Sequence, residues 1–247
     1  MKKSKIAVLV AMVVVLAFSL AACGGSDKSS SDKTVYKVGT EPTFPPFDTT
    51  DEDQNIVGLD MDLIKAIGED QGFDVEFENL SFDGLIPALK AGNIDIVAAG
   101  MNKDDEDRQK EVDFSDSYYE SKLFVAVTED NTTIKSVEDL TPDMKVAAQT
   151  GTTGASKVKE LKDAGKIKEA VILDGLDTCM MKLINGDVSA VINDKPVTEA
   201  YIKKQPDKIK MVGEALNAEN YGFAVQKGNA ELVEKINNGL KHIKENG

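Results

Sequence analysis

From Thr34 onward, short stretches of strand periodicity alternate with amphipathic helical segments, and this alternation restricts the fold more than any other feature of the sequence. In the first half the order is strand 35–38, helix 59–67, strand 73–77, helix 82–89 and strand 94–99. The last of these is largely apolar, as expected of a strand buried on both faces of a parallel sheet. The β-α-β-α-β order predicts an open α/β sheet.

The second half of the chain repeats the pattern with strand 146–148, helix 153–161, strand 171–173, helix 176–184 and strand 188–192. It therefore predicts a second α/β sheet of the same kind.

Two further segments, 123–127 and 221–225, look extended and would connect the halves. We predict an α/β fold of two lobes with an open sheet in each, a two-strand hinge and a central ligand cleft. The first lobe would contain residues 34–124 and 219–247, and the second lobe residues 125–218.

The N-terminus predicts an exported protein. Three lysines precede an apolar run that is marginal for a transmembrane helix and fits a signal peptide over residues 1–22. The run ends in Leu-Ala-Ala-Cys, which resembles the lipobox of bacterial lipoproteins, so Cys23 would carry the lipid (palmitate) that anchors the mature protein to the membrane. The alternative is an ordinary cleaved signal with an incidental cysteine. Residues 23–33 read as a flexible polar tether.

Charge and cysteine content exclude several classes of function. Removing residues 1–22 would take away three lysines and no acids, which moves the net charge from −14 to −17. A chain this acidic is a poor candidate for binding nucleic acid or anionic lipid. Cys179 would be the only cysteine besides Cys23, so we expect a buried inert thiol there and no disulfide or thiol-rich metal site.

Arg108 is the only arginine among 29 basic residues. A guanidinium grips a carboxylate with two parallel donors, which lysine cannot do. Arg108 is therefore a candidate carboxylate clamp, and the alternative is a surface arginine in an acidic segment.

Four stretches resemble one known family. They are GTEPTFPPF (39–47) with GLDMDL (58–63), FDGLIPAL (82–89), GNIDI (92–96) through Gly100 and Arg108 to VDFSD (112–116), and QTGTTG (149–154) with NDKP (193–196). From about residue 36 to the end, the chain resembles the bacterial extracellular solute-binding proteins of family 3, which serve ABC importers of polar amino acids. The resemblance implies a monomeric, non-enzymatic protein with a periplasmic-binding-protein-like fold, which closes over a free amino acid and delivers it to a membrane permease and its ATPase. It implies no cofactor and no metal.

The resemblance also implies roles for individual residues. Arg108 would hold the ligand's α-carboxylate, with Thr153 reaching the same group unless it serves only as a helix cap. Asp194 would receive the α-ammonium unless it only caps the following helix. Gly100 would assist through its backbone, with Asn102 beside it.

Phe44 and Phe82 would sandwich the ligand's aliphatic stem, although either could belong to the core. Glu41, Gln149 and Asn193 would line the side-chain pocket. A buried acid there favours a side chain that donates hydrogen bonds, so glutamine, arginine and lysine are the expected ligands.

Two features depart from the family pattern. Seven residues separate Gly100 from Arg108, one more than usual, so the loop must bulge, and acids stand at Asp104 and Asp105 in place of threonines. A missing hydroxyl contact would be replaced by the Asn102 side chain. Family members also usually continue past Gly247, so we expect a further C-terminal segment.

Two other functions remain open at this point. A ligand-sensing or adhesive lipoprotein would bind the same ligand without a transporter. A small-acid dehydratase on the same scaffold would need a base in the cleft, and the only histidine, His242, lies in the last helix.

Overall fold

The computed structural model describes residues 33–246. The predicted signal peptide, Cys23 and residues 23–32 of the predicted tether lie outside the described residues. From Lys33 onward the chain forms one compact unit. Within that part, no helix has the length and apolar character that a membrane crossing requires.

The described residues form fourteen strands and seven α-helices. In chain order the strands are β1 (Thr34–Thr40), β2 (Thr49–Thr50), β3 (Ile56–Val57), β4 (Phe73–Asn79), β5 (Ile96–Val97), β6 (Val112–Phe114), β7 (Tyr119–Ser121), β8 (Leu123–Thr128), β9 (Lys145–Gln149), β10 (Glu169–Leu173), β11 (Ala190–Asp194), β12 (Ile209–Val212), β13 (Glu219–Tyr221) and β14 (Ala224–Gln226). The helices are α1 (Leu59–Gln71), α2 (Phe82–Lys90), α3 (Glu106–Glu111), α4 (Thr153–Asp163), α5 (Leu176–Ile184), α6 (Lys195–Lys204) and α7 (Ala230–Asn246).

Lobe 1 is built on the five-stranded sheet β4-β1-β5-β14-β6 with helices α1, α2, α3 and α7. Strand β1 pairs in parallel with β4 and β5, and β14 pairs antiparallel to β5 and β6. Helices α1 and α7 share a buried cluster in which Ile64 and Ile67 meet Ile236 and Leu240. Their burial follows from the helical spacing of these apolar residues.

Lobe 2 is built on the sheet β10-β9-β11-β8-β12 with helices α4, α5 and α6. Strand β9 pairs in parallel with β10 and β11, and β8 runs antiparallel between β11 and β12. Both lobes therefore have the open α/β sheet that the sequence pattern predicts.

The chain passes between the lobes through the antiparallel pair β7–β13. The sequence pattern instead placed the connecting strands at 123–127 and 221–225. In the structure Leu123 and Phe124 already pair with Asp194 and Asn193 inside lobe 2, and Ala224 pairs within lobe 1. Of the two predicted segments, only Tyr221 belongs to the connecting pair, and the strands at 123–127 and 224–225 lie inside sheets because strands covered on both faces need apolar side chains.

Candidate functional site

The loops that follow four parallel strands meet between the two lobes. Glu41 follows β1, Gly100 follows β5 closely, Gln149 ends β9 and Asp194 ends β11. Ligands of open α/β proteins bind outside the carboxyl ends of the strands, where such loops converge. A small cavity lies at this position. Its lining residues are Phe44, Phe82, Gly100, Asn102, Arg108, Gln149, Thr152, Thr153, Asp194 and Glu219.

Arg108 is buried, with 8% of its surface exposed, so the alternative of a surface arginine is wrong. Its Nη1 donates to the carbonyl oxygen of Asn102 at 3.1 Å. Its Nη2 donates to the carbonyl oxygen of Gly151 in lobe 2 at 2.9 Å. The guanidinium carbon lies 5.4 Å from the centre of the Phe82 ring. Burial lowers the pKa of Arg108, whereas the charge of Asp105 opposes this shift, and arginine stays protonated in proteins.

The loop before Arg108 is held by its polar side chains. Asn102 Oδ1 accepts hydrogen bonds from the backbone N–H groups of Asp104 and Asn220, at 3.1 and 3.2 Å. Asp105 caps α3 by accepting from the N–H groups of Asp107 and Arg108. Asp104 accepts a hydrogen bond from the Asn220 side chain at 2.7 Å. Both acids that depart from the family pattern therefore form hydrogen bonds that hold this loop. The Asn102 carboxamide ties the loop to β13, and the backbone carbonyl oxygen of Asn102 orients Arg108.

Gly100 allows Phe44 to approach the backbone. Its φ of 52° lies in the left-handed region, and a Cβ at this position would lie 2.6 Å from the Phe44 ring. Its N–H donates to Asp60 Oδ2 at 2.8 Å. Phe44 is buried and Phe82 is half-buried, and both line the cavity as well as contacting the core.

Asp194 is a buried carboxylate at the boundary of lobe 2 and the hinge. Its Oδ1 accepts hydrogen bonds from Ser121 Oγ at 2.9 Å and from the Tyr221 hydroxyl at 2.6 Å. Its side chain makes no capping bond to α6, so the alternative of a simple helix cap is wrong. Burial raises the pKa of Asp194 well above its usual range, and the charge of Glu219 raises it further.

Glu219 is a lining residue that the sequence reasoning missed. It is 2% exposed, and its Oε1 accepts from Asn217 Nδ2 at 2.9 Å. It lies at the first position of the return strand β13, a short strand that periodicity cannot detect. The available sequence signal was an acid at the predicted lobe boundary.

Glu41 and Gln149 form a hydrogen bond across the two lobes. Gln149 Nε2 donates to Glu41 Oε2 at 2.7 Å and to the Asp174 carbonyl oxygen at 2.9 Å. Gln149 lines the cavity, and Glu41 lies behind it. Burial raises the pKa of the Glu41 carboxyl, while the hydrogen bonds from Gln149 and Thr43 lower it.

Asn193 does not line the cavity. Its Nδ2 donates to Thr198 Oγ1 at 3.2 Å and to the Asp194 carbonyl oxygen at 3.3 Å. Successive residues of a strand point to opposite faces, so Asn193 faces away when Asp194 faces the cleft. The structure thus separates Asn193 from the other predicted site residues.

Thr152, rather than Thr153, caps helix α4. Its Oγ1 accepts from the Ala155 N–H at 3.0 Å and donates to the Gln149 carbonyl oxygen at 2.7 Å. This leaves the Thr153 side chain as part of the cavity wall. The alternative that Thr153 serves only as the helix cap is therefore wrong.

Two buried carboxyl groups lie behind Gly100. Asp60 Oδ2 accepts from the Gly100 N–H and from the Tyr118 hydroxyl at 2.7 Å, and Asp48 Oδ2 accepts from Thr40 Oγ1 at 2.7 Å. The other oxygen of each acid has no hydrogen-bond partner among residues 33–246. Burial raises the pKa of Asp60 to about 6 and that of Asp48 well above its usual range.

Comparison with known proteins agrees with this architecture. The probable histidine-binding protein of Neisseria gonorrhoeae is 33% identical over 240 residues, which cover 94% of this chain and 88% of that protein. A solved ancestral arginine-binding protein bound to arginine superposes with a TM-score of 0.82 at 44% identity, covering 86% of this chain and 93% of that one. An ancestral arginine-binding protein bound to glutamine gives a TM-score of 0.79 at 44% identity, with the same 86% and 93% coverage.

The two-lobed fold predicted from the sequence is confirmed by these structures. A model of the bacterial extracellular solute-binding proteins, family 3, matches residues 36–247. This chain therefore belongs to the bacterial extracellular solute-binding proteins of family 3.

Proposed function

We propose that this protein is the substrate-binding component of an amino-acid ABC importer, and that its ligand is an amino acid with a cationic side chain. Arginine and lysine are preferred, with glutamine next. The family, the relatives that bind arginine, histidine or glutamine, and the charges around the cavity support this proposal.

The excess of acidic residues around the cavity is the observation from which we infer a cationic ligand side chain. Asp194 and Glu219 line it, Glu41 lies behind Gln149, and Arg108 is the only cation in its lining. A zwitterion with a neutral side chain adds one charge of each sign and leaves an excess of carboxylate. A cationic side chain reduces that excess, and uncompensated buried charge is unfavourable.

The proposed binding mode uses both ends of this cavity. The α-carboxylate binds Arg108 and Thr153, and the α-ammonium binds Asp194 and Glu219. The stem lies against Phe44 and Phe82, and the side chain points toward Gln149, whose Nε2 already donates to Glu41 and Asp174.

The interlobe hydrogen bonds belong to a closed arrangement, and hinge motion at β7–β13 would admit the ligand. Closure removes water and strengthens the charge pairs. The permease would then recognise the closed form. A lipid on Cys23 would keep the monomeric protein at the outer face of the cell membrane.

The first test is thermal unfolding of the unit from Lys33 onward against each of the twenty amino acids. A ligand at 1,000 times its Kd stabilises the folded state by about 4 kcal/mol. We expect L-arginine or L-lysine to raise the Tm by several degrees and L-glutamine to raise it less. A shift with acidic or apolar amino acids alone would contradict the proposed ligand.

A charge-selective variant sharpens the test. Glu41→Gln should weaken L-arginine binding at least tenfold and L-glutamine binding much less. Asp107→Asn is the matched control because Asp107 is exposed and lies on the neighbouring helix α3. Uptake of labelled arginine by cells with and without the protein would separate transport from sensing, and turnover of the bound amino acid would indicate an enzyme instead.

A further inference from the structure

The segment after β1 makes specific contacts with lobe 2 through Thr43. The backbone N–H of Leu176 donates to Thr43 Oγ1 at 3.2 Å. The hydroxyl of Tyr201 donates to the carbonyl oxygen of Thr43 at 3.0 Å. One lobe 1 residue therefore bonds to the first residue of α5 and to α6 in the opposite lobe.

Helix α5 lacks a cap of its own. Gly175 occupies the capping position and has no side chain to accept from the first amides of the helix. The amide of Thr178 donates to the Asp177 side chain at 2.6 Å, whereas the amide of Leu176 requires an acceptor from outside the helix. The hydroxyl of Thr43 supplies one across the cleft, on the fully buried Leu176.

The same hydroxyl orients the acid behind the cavity. Thr43 Oγ1 donates to Glu41 Oε2 at 2.8 Å, the oxygen that also accepts from Gln149 Nε2. A hydroxyl has one proton to donate, and here Glu41 receives it while the amide of Leu176 uses a lone pair. The bond to Glu41 lies within lobe 1, and the bond from Leu176 crosses the cleft, so the hydroxyl makes both only when the lobes are together.

We propose that Thr43 is a positioning residue that couples recognition at Glu41 to lobe closure by capping α5 across the cleft. When the lobes separate, α5 loses this acceptor, and Glu41 keeps the bond from Thr43 but loses the one from Gln149. The closed state thus gains a hydrogen bond and a correctly placed carboxylate together. The affinity readout rests on the proposed binding of a cationic amino acid, so a readout that does not depend on a measured affinity is paired with it.

The test compares Thr43→Val, which removes the hydroxyl at similar volume, with Thr43→Ser, which keeps it. Thr43→Val should raise the Kd for L-arginine about fivefold to tenfold, as expected for one hydrogen bond. It should also reduce the ratio of the Kd for L-glutamine to the Kd for L-arginine. Thr43→Ser should return the Kd for L-arginine and this ratio to within about twofold of the wild type. Thr49→Val is the matched control, since Thr49 is a half-buried threonine in the nearby strand β2.

The readout that does not depend on a measured affinity is hydrogen exchange at the amide of Leu176 in the closed, ligand-bound protein. It should be at least about fivefold faster in arginine-bound Thr43→Val than in the wild type or in Thr43→Ser, because the amide loses its acceptor. Equal exchange of Leu176 in all three proteins would overturn the proposal. If L-arginine does not bind the wild type, the proposed ligand fails, and the same exchange comparison with the amino acid that raises the Tm most tests the Thr43 contact in the closed protein.

Tyr201→Phe provides a second variant should Thr43→Val fold poorly. It removes the bond to the Thr43 carbonyl oxygen and leaves the hydroxyl on Glu41. We expect it to weaken L-arginine and L-glutamine binding by the same factor. A loss of selectivity in Tyr201→Phe as large as that in Thr43→Val would contradict the special role of the hydroxyl.

Discussion

The guanidinium of Arg108 in lobe 1 donates a 2.9 Å hydrogen bond to the backbone carbonyl of Gly151 in lobe 2. The same side chain donates to the carbonyl oxygen of Asn102 within its own lobe. A single planar group therefore bonds to both walls of the cleft at the point where the ligand carboxylate is proposed to bind. A lysine ammonium has one nitrogen and cannot reproduce this fork.

Arg108→Lys should accordingly weaken ligand binding at least about 30-fold, the lower end of what truncating one partner of a buried charge pair costs. Titration calorimetry with L-arginine would measure the change. Lys110→Ala, which alters an exposed cation on the same helix, should leave the Kd within about twofold. Arg108→Lys that binds as well as wild type would remove Arg108 from the carboxylate site.

Glu219→Gln should stabilise the folded protein and at the same time weaken ligand binding. Glu219 raises the pKa of the buried Asp194 because the two carboxylates repel each other when both are charged. The amide should raise the free energy of unfolding of the ligand-free protein by about 1 kcal/mol at neutral pH, and weaken binding of the α-ammonium about tenfold. Denaturant unfolding and calorimetry measure the two effects.

The control for this variant is Glu214→Gln, an exposed acid in the segment before β13, which should change neither quantity. A Glu219→Gln protein that binds normally would show that Asp194 alone receives the ammonium.

The buried acid Asp60 predicts a pH-dependent stability. Its pKa is raised from 3.8 to about 6, so the folded state binds the proton more tightly than the unfolded state. Its contribution is fully present below about pH 4 and is lost as the pH rises through 6, by roughly 3 kcal/mol. Burial outweighs the hydrogen bonds that the Gly100 N–H and the Tyr118 hydroxyl donate to Asp60, which lower its pKa, and the charge of Asp60 in turn raises the pKa of the nearby Asp48.

Asp60→Asn keeps a carbonyl acceptor for the Gly100 N–H and carries no charge. We expect it to unfold at higher denaturant concentration than wild type at pH 8, with a smaller difference at pH 5. Asp62→Asn, an exposed acid in the same helix, is the control. A stability difference for Asp60→Asn that is the same at both pH values would contradict the assigned pKa.

Gly100→Ala should destabilise the site through a contact as well as through backbone strain. The added Cβ would lie 2.6 Å from the Phe44 ring at a φ of 52°. Gly165→Ala is the matched control, because its φ of 68° is similar and a Cβ there meets no atom within 4 Å among the described residues. We expect losses of about 3 kcal/mol at Gly100 and about 1 kcal/mol at Gly165 in denaturant unfolding. Equal losses would mean that Phe44 moves without penalty.

Much of the fold could be predicted because its signals are local. The spacing of Ile64 and Ile67 marks a helix face, and the run at Ile94–Ala99 marks a buried strand. The hinge was harder, since β7 and β13 are three-residue strands with mixed side chains. The apolar segments taken as connections proved to be strands inside the sheets.

The sequence by itself determined the two α/β sheets and the family, because hydrophobic periodicity and ordered motifs are carried by residues close together along the chain. It also singled out Arg108 and Asp194, which the tertiary structure brings to one cavity. Only that structure decided which of two neighbouring residues faces the cavity. Asn193 and Asp194 point to opposite faces of one strand, and Glu219 reaches the cavity from a segment distant in sequence. Such choices depend on packing between remote parts of the chain, which local pattern does not record.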